Sequence, residues 1–197
     1  MIVYFRSMRT KDDEKIAALF EATVKLVNEI GFASSSVSKI AHEAGVSPAT
    51  IYVYYQNKEE LLVSTYTDIK RNMSEAVLKN FDNKQSVRDI FRHVWFNMFH
   101  YISNHRDYFE FAEQFSNSPY SLLVNKEDVE KYFEPVITVL QTGIDEKILK
   151  DVNLDILGAF IFYPIMILAN SRLCQNFDLN EENIDSAFTL AWDAIKR

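Results

Sequence analysis

Residues 36–55 read Ser36-Val37-Ser38-Lys39-Ile40-Ala41-His42-Glu43-Ala44-Gly45-Val46-Ser47-Pro48-Ala49-Thr50-Ile51-Tyr52-Val53-Tyr54-Tyr55. Ser36 is a good helix cap, Val37, Ile40, Ala41 and Ala44 recur at helical spacing, and Gly45 stops the run. Ser47 caps a second helix, and Pro48 suits its first position, where the missing N–H would be unpaired anyway. In that second helix Ile51 and Tyr55, four apart, face inward, while Ala49, Thr50, Tyr52, Val53 and Tyr54 are left for the outside. Ala44-Gly45-Val46 is the corner, and the small Ala41 and Ala44 let the helices approach closely. Two short helices joined by a tight glycine-containing turn make a helix-turn-helix candidate.

The flanks extend the pattern. Upstream, Ile16, Leu19, Phe20, Thr23, Val24, Val27 and Ile30 lie on one face of a helix from Lys11 to Ile30. Asp12, Asp13 and Glu14 occupy its first turn, where the helix dipole favours anions, and Gly31 supplies a left-handed stop. Downstream, Asn57-Lys58-Glu59-Glu60 caps and opens a further helix. The chemistry suits a DNA groove. Ser47, Ala49 and Thr50 are small enough for the second helix to press its N-terminus into a major groove. The hydroxyls of Ser36, Ser47 and Thr50 can reach phosphates. Tyr52 and Tyr54 each offer a ring and an O–H, Val53 a short apolar contact for a thymine methyl, and Lys58 a point charge. Over residues 31–58 two lysines against one glutamate leave only +1, so binding should weaken with salt along a shallow slope.

The run from Phe20 through Gly31-Phe32, Ser34-Ser35-Ser36-Val37, Ile40-Ala41, Ala44-Gly45-Val46-Ser47, Ile51-Tyr52-Val53-Tyr54-Tyr55 and Lys58-Glu59-Glu60-Leu61-Leu62 resembles the DNA-binding domain of TetR/AcrR-family regulators. The match extends over about 55 residues without a gap. Departures are small: Pro48-Ala49 stands where many members have a residue followed by Gly, and Tyr55 replaces the usual Phe. By position, the resemblance implies that Ser36, Ala49, Thr50, Tyr52, Val53, Tyr54 and Lys58 face DNA, with Ile40, Ala41, Ile51 and Tyr55 in a three-helix core. It also implies a larger helical domain whose central helices enclose an inducer pocket and whose last two helices form a dimer interface.

Composition agrees with an all-α fold. The 197 residues include only four Gly and four Pro, too few for the turns of a multi-stranded sheet. With 48% hydrophobic residues the chain can bury a sizeable core. The expected organisation is an N-terminal three-helix head over 9–65 and a larger domain over 66–197, nine to ten helices altogether. After residue 66, apolar periodicity predicts helices to about Asn80, to Asn104, over Asp107–Phe115, over Lys126–Lys147 with a kink or restart at Pro135, and over Leu154–Asn176 with a Pro164 kink. A final amphipathic helix closes the chain. Residues 81–135 hold 13 aromatics, a concentration suited to a pocket for flat, greasy or cationic ligands. Trp95, Phe99, Phe111, Phe115, Tyr132 and Tyr163 are the candidate pocket residues. The helices at about 154–176 and 183–196 carry more apolar surface than one subunit needs, which with the resemblance points to a homodimer.

Other classes are weakly supported. A net charge of −7 argues against indiscriminate binding to nucleic acid or anionic membrane. The apolar run Ile156–Ala169 is too short to span a bilayer, and the opening residues lack a signal-peptide core, with Met8 as a second possible start. The single cysteine, Cys174, fits a reducing cytoplasm and sits in an expected dimer helix. His93 and His100 are two helical turns apart, too far to share an ion, so no metal and no cofactor is expected. Glu110, Glu113 and Glu134 lack any nucleophile, oxyanion donor or phosphate loop, which argues against an enzyme. The expected function is a sequence-specific DNA-binding regulator, a repressor released from a palindromic operator by a small apolar, aromatic or cationic inducer. The rival reading keeps the head and makes the larger domain a protein-interaction module.

Overall fold

The computed structural model describes residues 11–170 and 173–197. A start at Met1 or Met8 and the first residues of the expected head lie outside them. The described residues form ten α-helices, one 3-10 turn over Pro119–Leu123 and no strand beyond an isolated bridge between Leu149 and Lys196. In order the helices are α1 (Lys11–Ser34), α2 (Val37–Glu43), α3 (Pro48–Tyr54), α4 (Lys58–Val77), α5 (Val87–Asn104), α6 (Arg106–Ser116), α7 (Lys126–Lys131), α8 (Glu134–Asp145), α9 (Leu154–Leu168) and α10 (Glu181–Ile195).

The chain divides into two compact units. One comprises the chain through Asp68 together with Asp107–Val124, the other Ile69–Arg106 and Asn125–Arg197. The chain passes between these units three times, once within α4.

In the first unit Leu19, Ala22 and Leu26 of α1, Ile40 and Ala41 of α2, Ile51 of α3 and Leu61 of α4 form one buried cluster. Residues of the second segment complete this unit. The ring of Phe32 meets those of Phe111, Phe115 and Tyr120 at 5.8, 6.1 and 5.4 Å, and Tyr66 stacks on Phe115 at 4.4 Å. Gly31 adopts φ 76°, ψ 167°, a combination essentially restricted to glycine, and the chain makes one more turn to Ser34. The stop expected at Gly31 is therefore a kink with an extended ψ.

In the second unit α5 is central and packs with α8, α9 and α10. It buries Phe91, Val94, Trp95, Met98 and Phe99, while α10 contributes Ile184, Phe188, Trp192 and Ile195. Pro135 lies in the first turn of α8, so the helix expected over 126–147 is a restart rather than a kink. Pro164 is accommodated inside α9. That helix ends at Leu168, not near Asn176: its apolar run gives out at Ala169, and the amides of Leu173 and Cys174 turn back onto the carbonyl of Asn170. Cys174 consequently lies beyond the helix expected to hold it.

Candidate nucleic-acid interface

The helix-turn-helix is built by two matching serine caps. Ser36 (φ −74°, ψ 157°) accepts from the amide of Lys39 at 3.3 Å, and Ser47 (φ −76°, ψ 151°) from the amide of Thr50 at 3.2 Å. Between them the amide of Gly45 donates to the carbonyl of His42 and that of Val46 to Ala41, the paired bonds of a Schellman closure. The closure needs a left-handed residue, and Gly45 provides it at φ 68°. Asn57 caps α4, accepting from Glu60 N at 2.8 Å, while Glu60 reaches back to the amide of Gln56 at 2.6 Å.

On α3, Ile51 is completely buried, whereas Tyr52 and Val53 are 57% and 75% exposed. Tyr52 has no hydrogen-bond partner among the described residues. Ser36, Ser47 and Ala49 are exposed as well, and Thr50 is half-buried with its hydroxyl 2.9 Å from that of Ser47. Because the cap oxygens act as acceptors, the Ser36 O–H stays available to donate to a phosphate. These six residues lie within two adjacent helix N-termini and one exposed helix face.

Tyr54 and Lys58 differ. The Tyr54 hydroxyl donates to Asp12 on α1 at 2.7 Å and its ring packs against the core cluster. Tyr54 and Lys15 hold the Asp12 carboxyl below the ordinary carboxylate range, and the Asp12 bond pushes the Tyr54 hydroxyl up. The Lys58 ammonium donates to the carbonyl of Phe32, and that of Lys39 to Ser34 at 3.1 Å. Both lysines thus satisfy carbonyls at the end of α1, where the helix dipole is negative. Sequence reading gave Tyr54 and Lys58 free polar tips because their partners are 42 and 26 residues away.

The six candidate pocket aromatics are shared between the two units. Phe111 and Phe115 belong to the first unit, around Phe32. Trp95 and Phe99 are buried in the second, against Phe188 and Phe177. Tyr132 closes α7 half-buried, and Tyr163 is 64% exposed on α9. The aromatic-rich window straddles the division between units, a separation that composition does not record. His93 is engaged in structure, its ring nitrogen 2.7 Å from the carbonyl of Lys79 beyond α4.

A three-helix head whose third helix, α3, is the exposed second helix of a helix-turn-helix defines the class of helix-turn-helix DNA-binding proteins. The sequence matches two family models: "Bacterial regulatory proteins, tetR family" over residues 19–65 and "Tetracyclin repressor-like, C-terminal domain" over 87–196. The chain belongs to the TetR family of DNA-binding transcriptional regulators and is not an enzyme. A TetR family transcription regulator from Marinobacter aquaeolei VT8 is 33% identical, with a TM-score of 0.87 over 96% of this chain and 99% of that one. An uncharacterised HTH-type transcriptional regulator of Haemophilus influenzae is 26% identical across 96% of this chain and all of its own length. A fatty acid metabolism regulator protein of Bacillus subtilis is 33% identical over 75 residues, 38% of this chain and 39% of that protein. Among the described residues no helix is long and apolar enough to cross a membrane.

Proposed function

We propose that this regulator is a repressor that binds a palindromic operator as a homodimer and leaves it when a small, largely apolar or aromatic molecule enters the helical domain that follows residue 66. The operator contacts are assigned to Ser36, Ser47, Ala49, Thr50, Tyr52 and Val53, with Tyr54 and Lys58 as supports that hold α3 against α1. The observation that carries the reading is α3 itself: it buries Ile51 and leaves Tyr52 and Val53 outward without intramolecular work.

The dimer reading is supported by α9. Leu157, Ile161 and Ile165 face the core, yet Ile156, Phe160, Tyr163 and Ile167 on the opposite side are 50%, 57%, 64% and 47% exposed. Their spacing of four, three and four residues makes one stripe, and Leu190 of α10 is 74% exposed. A groove of about 910 Å³ lined by Ile137, Leu154, Phe160, Tyr163 and Met166 runs along this helix. A helix apolar on both sides is a buried helix, so a second copy is the natural cover. One short recognition helix gives little affinity alone, and two heads on half-sites supply the rest.

The test is a footprint of the promoter beside the protein's own gene. Protection of a two-fold symmetric site by the wild type is expected. A folded dimer that protects nothing there at low salt would overturn the reading.

A further inference from the structure

Lys70 stands on the part of α4 that belongs to the second unit, half-buried, with its ammonium 5.2 Å from the centre of the Phe133 ring. Among the described residues it has no carboxylate at ion-pair distance and no hydrogen-bond acceptor. Loss of hydration pushes this ammonium below the ordinary lysine value, as for a cation short of both water and a counter-ion.

The same unit holds a second donor without an acceptor: Trp95 is completely buried on α5 and its indole N–H is unpaired. No Asp or Glu is buried among the described residues. The helices carrying the two donors are tied together at two levels. The Tyr101 hydroxyl lies 3.4 Å from the carbonyl of Ile69, next to Lys70, and the Asn97 amide donates to the carbonyl of Val77 at 3.0 Å, two residues on from Trp95. Burial pushes the Tyr101 phenol up to about 12, so it remains a neutral donor and offers no competing anion. The α4–α5 pair thus holds two donors without an acceptor, Lys70 and Trp95, while none of its carboxylates is buried or within ion-pair distance of Lys70.

We infer that the effector of this regulator carries an anionic head, carboxylate or phosphate, which Lys70 reads, on an apolar body. The inference rests on the ligand-release reading above and narrows it. A cationic effector fits worse: the Phe133 face already carries a cation, and a second ammonium beside Lys70 would meet like-charge repulsion. An anion gives the stranded ammonium its missing charge-assisted hydrogen bonds.

The experiment compares ten-carbon amphiphiles differing only in their heads: sodium decanoate, decyl phosphate, decanol and decyltrimethylammonium. Thermal shift and operator release are read on the full-length protein. An anionic member should bind about tenfold or more tightly than decanol and release DNA, and the better of the two identifies the head. Lys70→Met should raise the melting temperature of the ligand-free protein and erase the preference for the anion while keeping decanol binding; Lys70→Arg should retain the preference. Equal or stronger binding of decanol or the cation to wild type overturns this inference alone. So does an unchanged preference in Lys70→Met, or a ligand-free melting temperature that does not rise. No response to any head overturns the small-ligand reading and this one with it.

Discussion

At Tyr52 and Tyr54 the same side chain, two residues apart, is put to opposite uses. Tyr52 is more than half exposed and bonded to nothing within the described residues, so truncation removes contacts only in a complex. Tyr52→Ala should cost ~1–3 kcal/mol of operator binding in a titration while leaving the melting temperature nearly unchanged. Tyr54→Phe should instead lower the melting temperature at neutral pH, because it deletes the bond to Asp12. The pH dependence has a definite sign. The Asp12 carboxyl is held below its ordinary value, so its contribution is present above the carboxylate range and is lost as pH falls through that lowered value. The gap between wild type and Tyr54→Phe should narrow below about pH 4. Ser36, Ser47 and Tyr52 were readable from sequence because cap chemistry and helical phase are local. The commitments of Tyr54 and Lys58 were not, since both partners lie on or beyond α1, far along the chain.

At the scale of elements, glycine sets the two sharpest corners of the head. A Cβ at Gly31 or Gly45 would meet nothing within 4 Å, so substitution acts through the backbone alone. Gly45→Ala should cost about 1–2 kcal/mol and Gly31→Ala about 1–3 kcal/mol in denaturant unfolding. A cost near zero at Gly45 would mean that the Schellman closure relaxes without loss. Helix starts were read well from Ser47-Pro48 and Asn57, where the cap is written in one residue. The end of α9 was misplaced because no glycine marks it; the helix stops where its apolar run ends.

At the scale of the molecule, the exposed stripe of α9 leads to a prediction about assembly. Phe160→Asp or Tyr163→Asp should yield a folded monomer in light scattering, with an aromatic anchor worth about 2 kcal/mol or more of association. Operator affinity should fall in parallel, since one head would then bind alone. Charge gives a further expectation. The head lysines Lys39 and Lys58 are tethered to α1 carbonyls, and a dimer brings two copies of each. The slope of log K against log salt should therefore be no steeper than about −4. The all-α class and the DNA-reading head were evident in composition and motif, but the distribution of aromatics between the units was not. Phe111 and Trp95 look alike in a sequence window, and only the path of the chain separates them.

That path bears on how such regulators are recombined. A chimera that takes only the stretch through Asp68 from a relative imports a helix-turn-helix whose Phe32 and Tyr66 were shaped against that relative's own counterparts of Phe111, Phe115 and Tyr120. A transplant that keeps the head intact has to carry Asp107–Val124 with it as a second graft, because the reading head is one folded object made from two separate lengths of gene.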